Sequence, residues 1–396
     1  MPLSAKSRLA TGVSGLYLAL YLHYGFFAFL PLWLTATGAP AKEIGLLMAI
    51  PLILRLITVA PFSAWTGKRG RVRDAIALAS LISAGVILIL LSEPHHIGRM
   101  AVVVIFSIVW DQIPVLTDAY AVMAVRGHSL DFGRLRVWGS IAVVASNAAA
   151  GWAFGVMGIK SLPLMVALLL LAPATVASLL PRDRQLRSRL ETTQGHWRDL
   201  LGDRALLKSM AAASLIMGSH GVLLSFGAIQ WNASGISTGA IGVLQALAVS
   251  AEIAAFWFGA RILGLREPRV MLCVAAVAGA ARWLIMATNP SIAVLIGAQL
   301  LNGITATGTI LGITLVIAAR VPSNLSAAAQ GMNAVLLGAV LAVATAGSGL
   351  LWSHGLSFAY LAMAVLAALG AVLAWPARIA ADNGDTSGAP VTGVDQ

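Results

Sequence analysis

The chain alternates between long apolar runs and short polar gaps. Twelve of the runs are long enough to cross about 30 Å of hydrocarbon as helices that rise about 1.5 Å per residue. Each run therefore predicts a membrane-spanning helix, at residues 11–36, 44–65, 75–91, 100–125, 135–156, 162–180, 210–231, 239–262, 270–287, 292–319, 332–352 and 356–375. The first run is too long for a signal peptide and lacks a small-residue cleavage site.

The longest polar gap separates six predicted spans from six others. We expect an N-terminal bundle at 1–180, a cytoplasmic linker at 181–208 with a short interfacial helix in 196–207, a C-terminal bundle at 209–376 and a disordered tail at 377–396. The halves also align with a shift of 197 residues, which matches His23 with His220 and Gly38 with Gly235. This similarity predicts a parallel repeat, with a transport site between the two bundles.

Lysine and arginine lie mainly in every second gap. Of the 26 such residues, 21 fall in these alternate gaps, whereas the other gaps hold only Lys42, Arg99 and Lys160. The positive-inside rule then predicts two cytoplasmic termini and a multi-pass protein of the inner (plasma) membrane. A hydrophobic content of 59% agrees with a lipid bilayer as the main partner. The net charge of +11 is spread over the loops, which favours anionic lipid headgroups and argues against nucleic acid.

Three motifs resemble the major facilitator superfamily. Residues 63–72, SAWTGKRGRV, keep the lysine and two later positions of the loop motif G-x-x-x-D-R/K-x-G-R-R but lack its first glycine and its aspartate. LTDA at 116–119 and LDFGRLRVWGS at 130–140 are similar to helices four and five of the lactose permease group. They are closer still to the phenylpropionate permeases, whose seventh helix carries a G-x-H like 218–220. The resemblance implies an all-α polytopic membrane protein, with twelve transmembrane helices in two six-helix bundles.

Ionisable residues inside spans cost free energy and therefore mark functional positions. Asp111 and Asp118 lie seven residues apart on one face of span 4, with Pro114 between them to loosen the helix. Asp118 and Arg136 reach matching depths in spans 4 and 5 and can pair. In the lactose permease group the matching acid and arginine act in sugar binding, so the resemblance implies substrate contacts at Asp118 and Arg136. A static ion pair between the two spans is the alternative.

A second charged pair is predicted in the C-terminal half. Glu252 and Arg282 reach similar depths in spans 8 and 9. The resemblance aligns them with residues for binding and proton coupling, and a structural ion pair is the alternative. That group also has a histidine and a glutamate on helix ten, where this chain has Asn302 and Thr305. Neither side chain carries a proton near neutral pH, so proton coupling would fall to Glu252, to an aspartate of span 4 or to a histidine.

Three further residues extend the predicted substrate site. Arg55 takes the position opposite Glu252 under the 197-residue shift. Tyr24 belongs to an aromatic face of span 1 with Tyr17 and Tyr21, which can stack on a sugar or aromatic ring. His220 lies near the middle of span 7. Helix packing is the alternative for the tyrosines, as is a hydrogen bond across a helix interface for the histidine.

Together these features predict a secondary active transporter that works by alternating access. Three interior arginines balance three interior carboxylates, so an anion can enter if a carboxylate is protonated as it binds, whereas for a neutral substrate the same protonation would order the site. The charge count does not choose between them; the resemblance favours proton-coupled symport of a small organic acid, a phenylpropionate-like aromatic acid. A sugar or nucleoside proton symporter and a drug efflux antiporter are the alternatives. The sequence predicts no enzymatic activity, because it lacks a nucleotide-binding loop and clustered catalytic residues. We also expect a monomer without a cofactor or a metal site.

Overall fold

The computed structural model describes residues 5–128, 130–182, 197–262 and 267–375. Within these ranges the chain forms fifteen α-helices with short 3-10 turns and no strand. The α-helices are α1 (Ala5–Phe27), α2 (Leu30–Ala36), α3 (Ala41–Arg69), α4 (Val72–Leu88), α5 (His96–Trp110), α6 (Gln112–His128), α7 (Phe132–Met157), α8 (Leu162–Leu179), α9 (Arg204–Gly218), α10 (Gly221–Ala233), α11 (Thr238–Ile262), α12 (Pro268–Ala287), α13 (Ile292–Arg320), α14 (Ser326–Ser353) and α15 (Leu356–Ala374).

These helices form twelve spans that are long and apolar enough to cross a membrane, as the apolar runs predict. Span 7 begins earlier than its run, at Arg204, because the carboxylate of Asp203 accepts hydrogen bonds from the amides of Ala205 and Leu206 and caps α9. In the described part of the linker, residues Trp197–Gly202 form a 3-10 helix where the sequence predicted an interfacial helix. Linker residues 183–196 and the predicted disordered tail at 377–396 lie outside the described residues.

Three spans of the described chain consist of two α-helices each. Span 1 is α1 followed by α2, span 4 is α5 followed by α6, and span 7 is α9 followed by α10. In span 4 the ring of Pro114 conflicts with the carbonyl four residues earlier, and α5 ends at that residue, Trp110. Asp111 therefore lies at an interruption of the helix, whereas the sequence predicted one loosened face carrying both aspartates.

The two halves meet along two seams. The most extensive contacts between them join α3 to α14 and α7 to α11, which are spans 2 with 11 and 5 with 8. A shift of six spans exchanges these two seams, as expected for a parallel repeat. Each seam has a close glycine contact. A Cβ added to Gly45 would lie 2.9 Å from the amide nitrogen of Gly349, and one added to Gly242 would lie 2.9 Å from Cα of Gly151.

Both glycine contacts lie at the end of the spans away from the Lys- and Arg-rich loops. We call the end with those loops the cationic face. Between α3 and α14 a Cβ added to Gly338 would lie 2.9 Å from Leu56, whereas an added Cβ at Gly67 or Gly331, nearer the cationic face, would meet no atom within 4 Å. Arg55 in α3 and Arg136 in α7 are exposed. Such charged side chains need water and not lipid, so we infer a polar space between the halves on the side of the cationic face.

Candidate substrate and proton site

Asp118 and Arg136 meet on the N-terminal side of this space. Asp131 caps the start of α7 and thereby orients the turn that carries Arg136. The Nε atom of Arg136 lies 3.8 Å from Oδ1 of Asp118, and the hydroxyl of Tyr17 donates to the same oxygen at 2.7 Å. The two charged side chains are 55% and 41% exposed. An ion pair with this much solvent contributes about 0–1 kcal/mol to stability, so Arg136 can exchange Asp118 for another anion at little cost.

An aromatic ladder leads from this pair towards the middle of the protein. The rings of Tyr17 and Tyr21 stack with centroids 6.4 Å apart, and those of Tyr21 and Tyr24 with centroids 4.9 Å apart. Tyr24 then makes an edge contact with Trp110, which also contacts buried His23. The predicted face of span 1 is thus continuous. Tyr17 is fully buried, whereas Tyr21 and Tyr24 are half-buried and offer a flat apolar surface that suits an aromatic ring.

Asp111 and Arg55 lie beyond the ladder. Oδ2 of Asp111 is buried and has no hydrogen-bond partner among the described residues. Arg55 is near enough to interact with this carboxylate electrostatically, but no described oxygen of Asp111 lies within 4.0 Å of its guanidinium. Both predicted residues therefore reach the same region without forming an ion pair. They leave one cation and one desolvated carboxylate available for a ligand or a proton.

Arg282 lies in the C-terminal half with its side chain almost fully buried, at 1% exposure. Its Nη1 donates to Oδ1 of Asn302 at 2.6 Å, and its Nη2 donates to Oε1 of Gln299 at 2.5 Å. His220 approaches Nη1 through Nε2 at 3.4 Å, while its Nδ1 lies 3.1 Å from the carbonyl of Met217. Because arginine only donates, Nε2 accepts and Nδ1 carries the proton, so this histidine is neutral. The described partners of Arg282 are thus uncharged.

Glu252 is half-buried in α11 and interacts electrostatically with Arg282. Among the described residues its carboxylate makes no ion pair within 4.0 Å and no hydrogen bond, and only its backbone carbonyl is bound, by Thr307. The direct ion pair with Arg282 considered from the sequence is therefore not formed in this structure. A carboxylate placed in this way can take up a proton without breaking an ion pair.

Sequence reasoning missed several parts of the site. Asn302 was considered only as a residue that cannot carry a proton, and Gln299, one turn before it in α13, was not considered. The spacing of these two amides on an apolar helix is a signal that was available. Trp283 donates from Nε1 to the hydroxyl of Ser219 at 2.8 Å and stacks on Tyr360. Within the described chain there is no group of three or more His, Cys, Asp or Glu side chains arranged to hold a metal ion.

Comparison with known proteins gives the family. The model of the MFS_1 like family matches residues 11–362. A probable 3-phenylpropionic acid transporter of Escherichia coli (strain K12) is 28% identical over 359 residues, which cover 89% of this chain and 93% of that protein. A maltose permease of Geobacillus stearothermophilus is 27% identical over 263 residues, covering 66% of this chain and 58% of that protein.

Solved structures share the fold. The nucleoside transporter NupG aligns with a TM-score of 0.80 at 15% identity, covering 93% of this chain and 98% of NupG. A bacterial homologue of the human lysosomal transporter Spinster, in an inward-facing and unoccupied conformation, aligns with a TM-score of 0.79 at 12% identity, covering 95% and 98%. The relatives and structural neighbours are transporters and not enzymes. The chain is a multi-pass membrane transporter that belongs to the MFS_1 like family of the major facilitator superfamily.

Proposed function

We propose that the protein is a proton-coupled symporter of a small aromatic carboxylate such as 3-phenylpropionate. It works by alternating access in the inner membrane, as a monomer with both termini in the cytoplasm. The observation that carries this proposal is the incomplete pairing of interior charges. We place three arginines and three carboxylates around the central space, and of these six described side chains only Asp118 and Arg136 form an ion pair within 4.0 Å. Two cations are left to bind an anion.

The same incomplete pairing supports coupling to a proton. The interior is neutral when all six groups are charged, so an entering carboxylate adds a negative charge that a proton can balance. Glu252 is the proton acceptor in this scheme, because its carboxylate has no described ion-pair or hydrogen-bond partner and interacts with Arg282. Protonation of Glu252 removes the negative charge that competes with the substrate for Arg282. Glu252 and Arg282 thereby couple the uptake of a proton to the binding of the substrate.

The substrate contacts follow from the surfaces on the other side of the space. Arg136, released from Asp118 at the exposed pair, donates to the substrate carboxylate from the N-terminal half, and Arg282 donates to the same carboxylate from the C-terminal half. Tyr24 and Tyr21, which stacks on it, receive the aromatic ring. Arg55, Asp111 and His220 complete the polar lining. The 28% identity to a probable 3-phenylpropionic acid transporter over most of both chains supports this choice of substrate.

Uptake into proteoliposomes tests the proposal. Labelled 3-phenylpropionate should accumulate above its external concentration when the outside is made acidic, and a protonophore should abolish the accumulation. Empty liposomes under the same gradient measure passive entry of the acid. Equal uptake with and without the gradient, after this correction, would contradict proton coupling.

Sugar symport is the second candidate, because the maltose permease is 27% identical over 66% of this chain and because tyrosine faces also stack on sugars. Competition separates the two substrate classes. An excess of unlabelled maltose or of a nucleoside should leave 3-phenylpropionate uptake unchanged if the proposal is correct. Strong inhibition by maltose, together with uptake of labelled maltose, would favour the sugar.

A further inference from the structure

Arg282 is a buried cation whose described hydrogen-bond partners are two amides and a neutral imidazole. Moving a charge out of water is costly unless an opposite charge or a full set of hydrogen bonds compensates it. Here the set is incomplete, because the Nε atom of Arg282 is buried and has no acceptor among the described residues. The buried hydroxyl of Tyr360, which interacts electrostatically with Arg282, also lacks a described partner.

We propose that Asn302 and Gln299 make Arg282 an anion-selecting subsite that receives the carboxylate of the substrate. This inference rests on the proposed function and adds the residues that determine charge selectivity. The amide oxygens hold the guanidinium in place at 2.6 and 2.5 Å without neutralising it. An aspartate or glutamate at either position would form an ion pair with Arg282 and remove its affinity for an anion.

The arrangement around Arg282 indicates how the carboxylate arrives. Gln299 is buried, at 1% exposure, whereas Asn302, His220 and Glu252 are half-buried. The side of the guanidinium next to Asn302 and His220 is therefore the side nearer the central space. A carboxylate that enters there takes the place of the weak 3.4 Å contact between Nη1 and His220 and accepts a hydrogen bond from the charged guanidinium. In this arrangement Arg282 binds the anion, and the nearby carboxylate of Glu252 must be protonated when the anion binds.

Binding of matched ligands tests the subsite without any proton gradient. The full-length protein is purified, and its affinities for 3-phenylpropionate and for neutral 3-phenylpropanamide are measured by calorimetry. The wild type should prefer the acid by at least about tenfold, the effect expected of a hydrogen bond to a charged group. Asn302→Asp should lose this preference or reverse it, and Gln299→Glu should do the same from the other side of the guanidinium.

A matched control separates this effect from a general effect of added negative charge. Asn333→Asp makes the same chemical change at a buried asparagine of α14 and should keep the wild-type ratio of affinities. Thermal unfolding midpoints verify that each variant is folded. A folded Asn302→Asp and a folded Gln299→Glu that both keep the wild-type preference for the acid would overturn the subsite, as would a wild type that binds acid and amide equally.

The binding experiment for the subsite and the uptake experiment for proton symport can fail independently of each other. If the wild type prefers the acid but shows no gradient-driven accumulation, proton symport fails and the anion subsite stands. If accumulation is driven by protons but the variants keep their preference, the subsite fails and symport stands. If the wild type binds neither the acid nor the amide, both the subsite and the aromatic substrate are wrong.

Discussion

The ion pair between Arg136 and Asp118 is weak, and Arg136 can therefore bind another anion. The pair is 3.8 Å apart and well exposed, so it contributes little to stability and leaves the guanidinium free to rearrange. Elsewhere the chain has an ion pair of the structural kind. Arg99 in α5 donates to both oxygens of Glu43 in α3, at 2.9 and 3.2 Å, with both side chains more than 90% buried. Breaking such a pair is strongly destabilising.

Replacing Arg136 with lysine should weaken substrate binding by about ten- to a hundredfold, the range expected for charged hydrogen bonds, while the protein stays folded. An ammonium group keeps the charge but cannot offer the planar pair of donors that fits a carboxylate. Calorimetric titration with 3-phenylpropionate measures the effect. Arg134→Lys is the matched control, because Arg134 lies on the same helix and is 89% exposed beside Asp131. Wild-type affinity in Arg136→Lys would remove this residue from the binding site.

At the scale of the helices, the two glycine contacts close the end of the protein opposite the cationic face. A side chain at Gly45 or Gly242 would meet backbone of the opposite half at 3.0 Å or less. Gly45→Leu and Gly242→Leu should therefore hold the two halves apart at this end. Spin labels on exposed His95 and His354, one in each half, should report a longer distance in a Cys273→Ser background.

Gly85→Leu is the control for this prediction, because a Cβ at Gly85 would meet no atom within 4 Å. It should leave both the label distance and the transport rate unchanged. The two seam variants should still bind substrate but transport it slowly. Unchanged distances in both seam variants would show that the glycine contacts do not close this end.

The start of α9 is fixed by Asp203, which caps the helix and pairs with Arg320 of α13 at 2.7 Å. Partial burial acts to raise the pKa of Asp203, but hydrogen bonds from Arg320 and from two backbone amides lower it below its ordinary value. A lowered folded-state pKa means that the charged form stabilises the fold above the unfolded pKa of about 3.9. This contribution is lost as the pH falls through the folded pKa.

Asp203→Asn should therefore lower the free energy of unfolding by about 1 kcal/mol at neutral pH, because asparagine keeps the cap but loses the ion pair. The difference from wild type should narrow as the pH falls below about 4. Thermal unfolding in detergent across this pH range measures it. A difference that stays constant down to acidic pH would mean that the charge of Asp203 does not stabilise the fold.

Part of the architecture is readable from the sequence because lipid imposes a strong constraint. The twelve spans follow from the lengths of the apolar runs, since each helix must satisfy its backbone groups internally. The interruption at Asp111 was only partly predictable, because Pro114 reveals a weak point but not whether neighbouring helices hold the span straight. The neutral partners of Arg282 were not predictable in the same way, since residues far apart in the chain compete for one guanidinium.

The orientation of the whole molecule remains a prediction from its loop charges. If the cationic face is cytoplasmic, a reporter inserted near Thr193 or fused after Arg378 should be active in the cytoplasm. A reporter near Pro94 should be active on the other side of the membrane. The opposite pattern would turn the open space of this structure towards the outside.

Transport by Glu252→Gln tests proton symport most directly. Glutamine resembles the protonated acid but cannot release a proton, so the variant should exchange labelled for unlabelled 3-phenylpropionate across a proteoliposome membrane. Under an acid-outside gradient the same vesicles should fail to accumulate the substrate, while the wild type does both. Accumulation by Glu252→Gln at the wild-type level would contradict proton coupling at this residue, and loss of exchange together with accumulation would make Glu252 a structural residue.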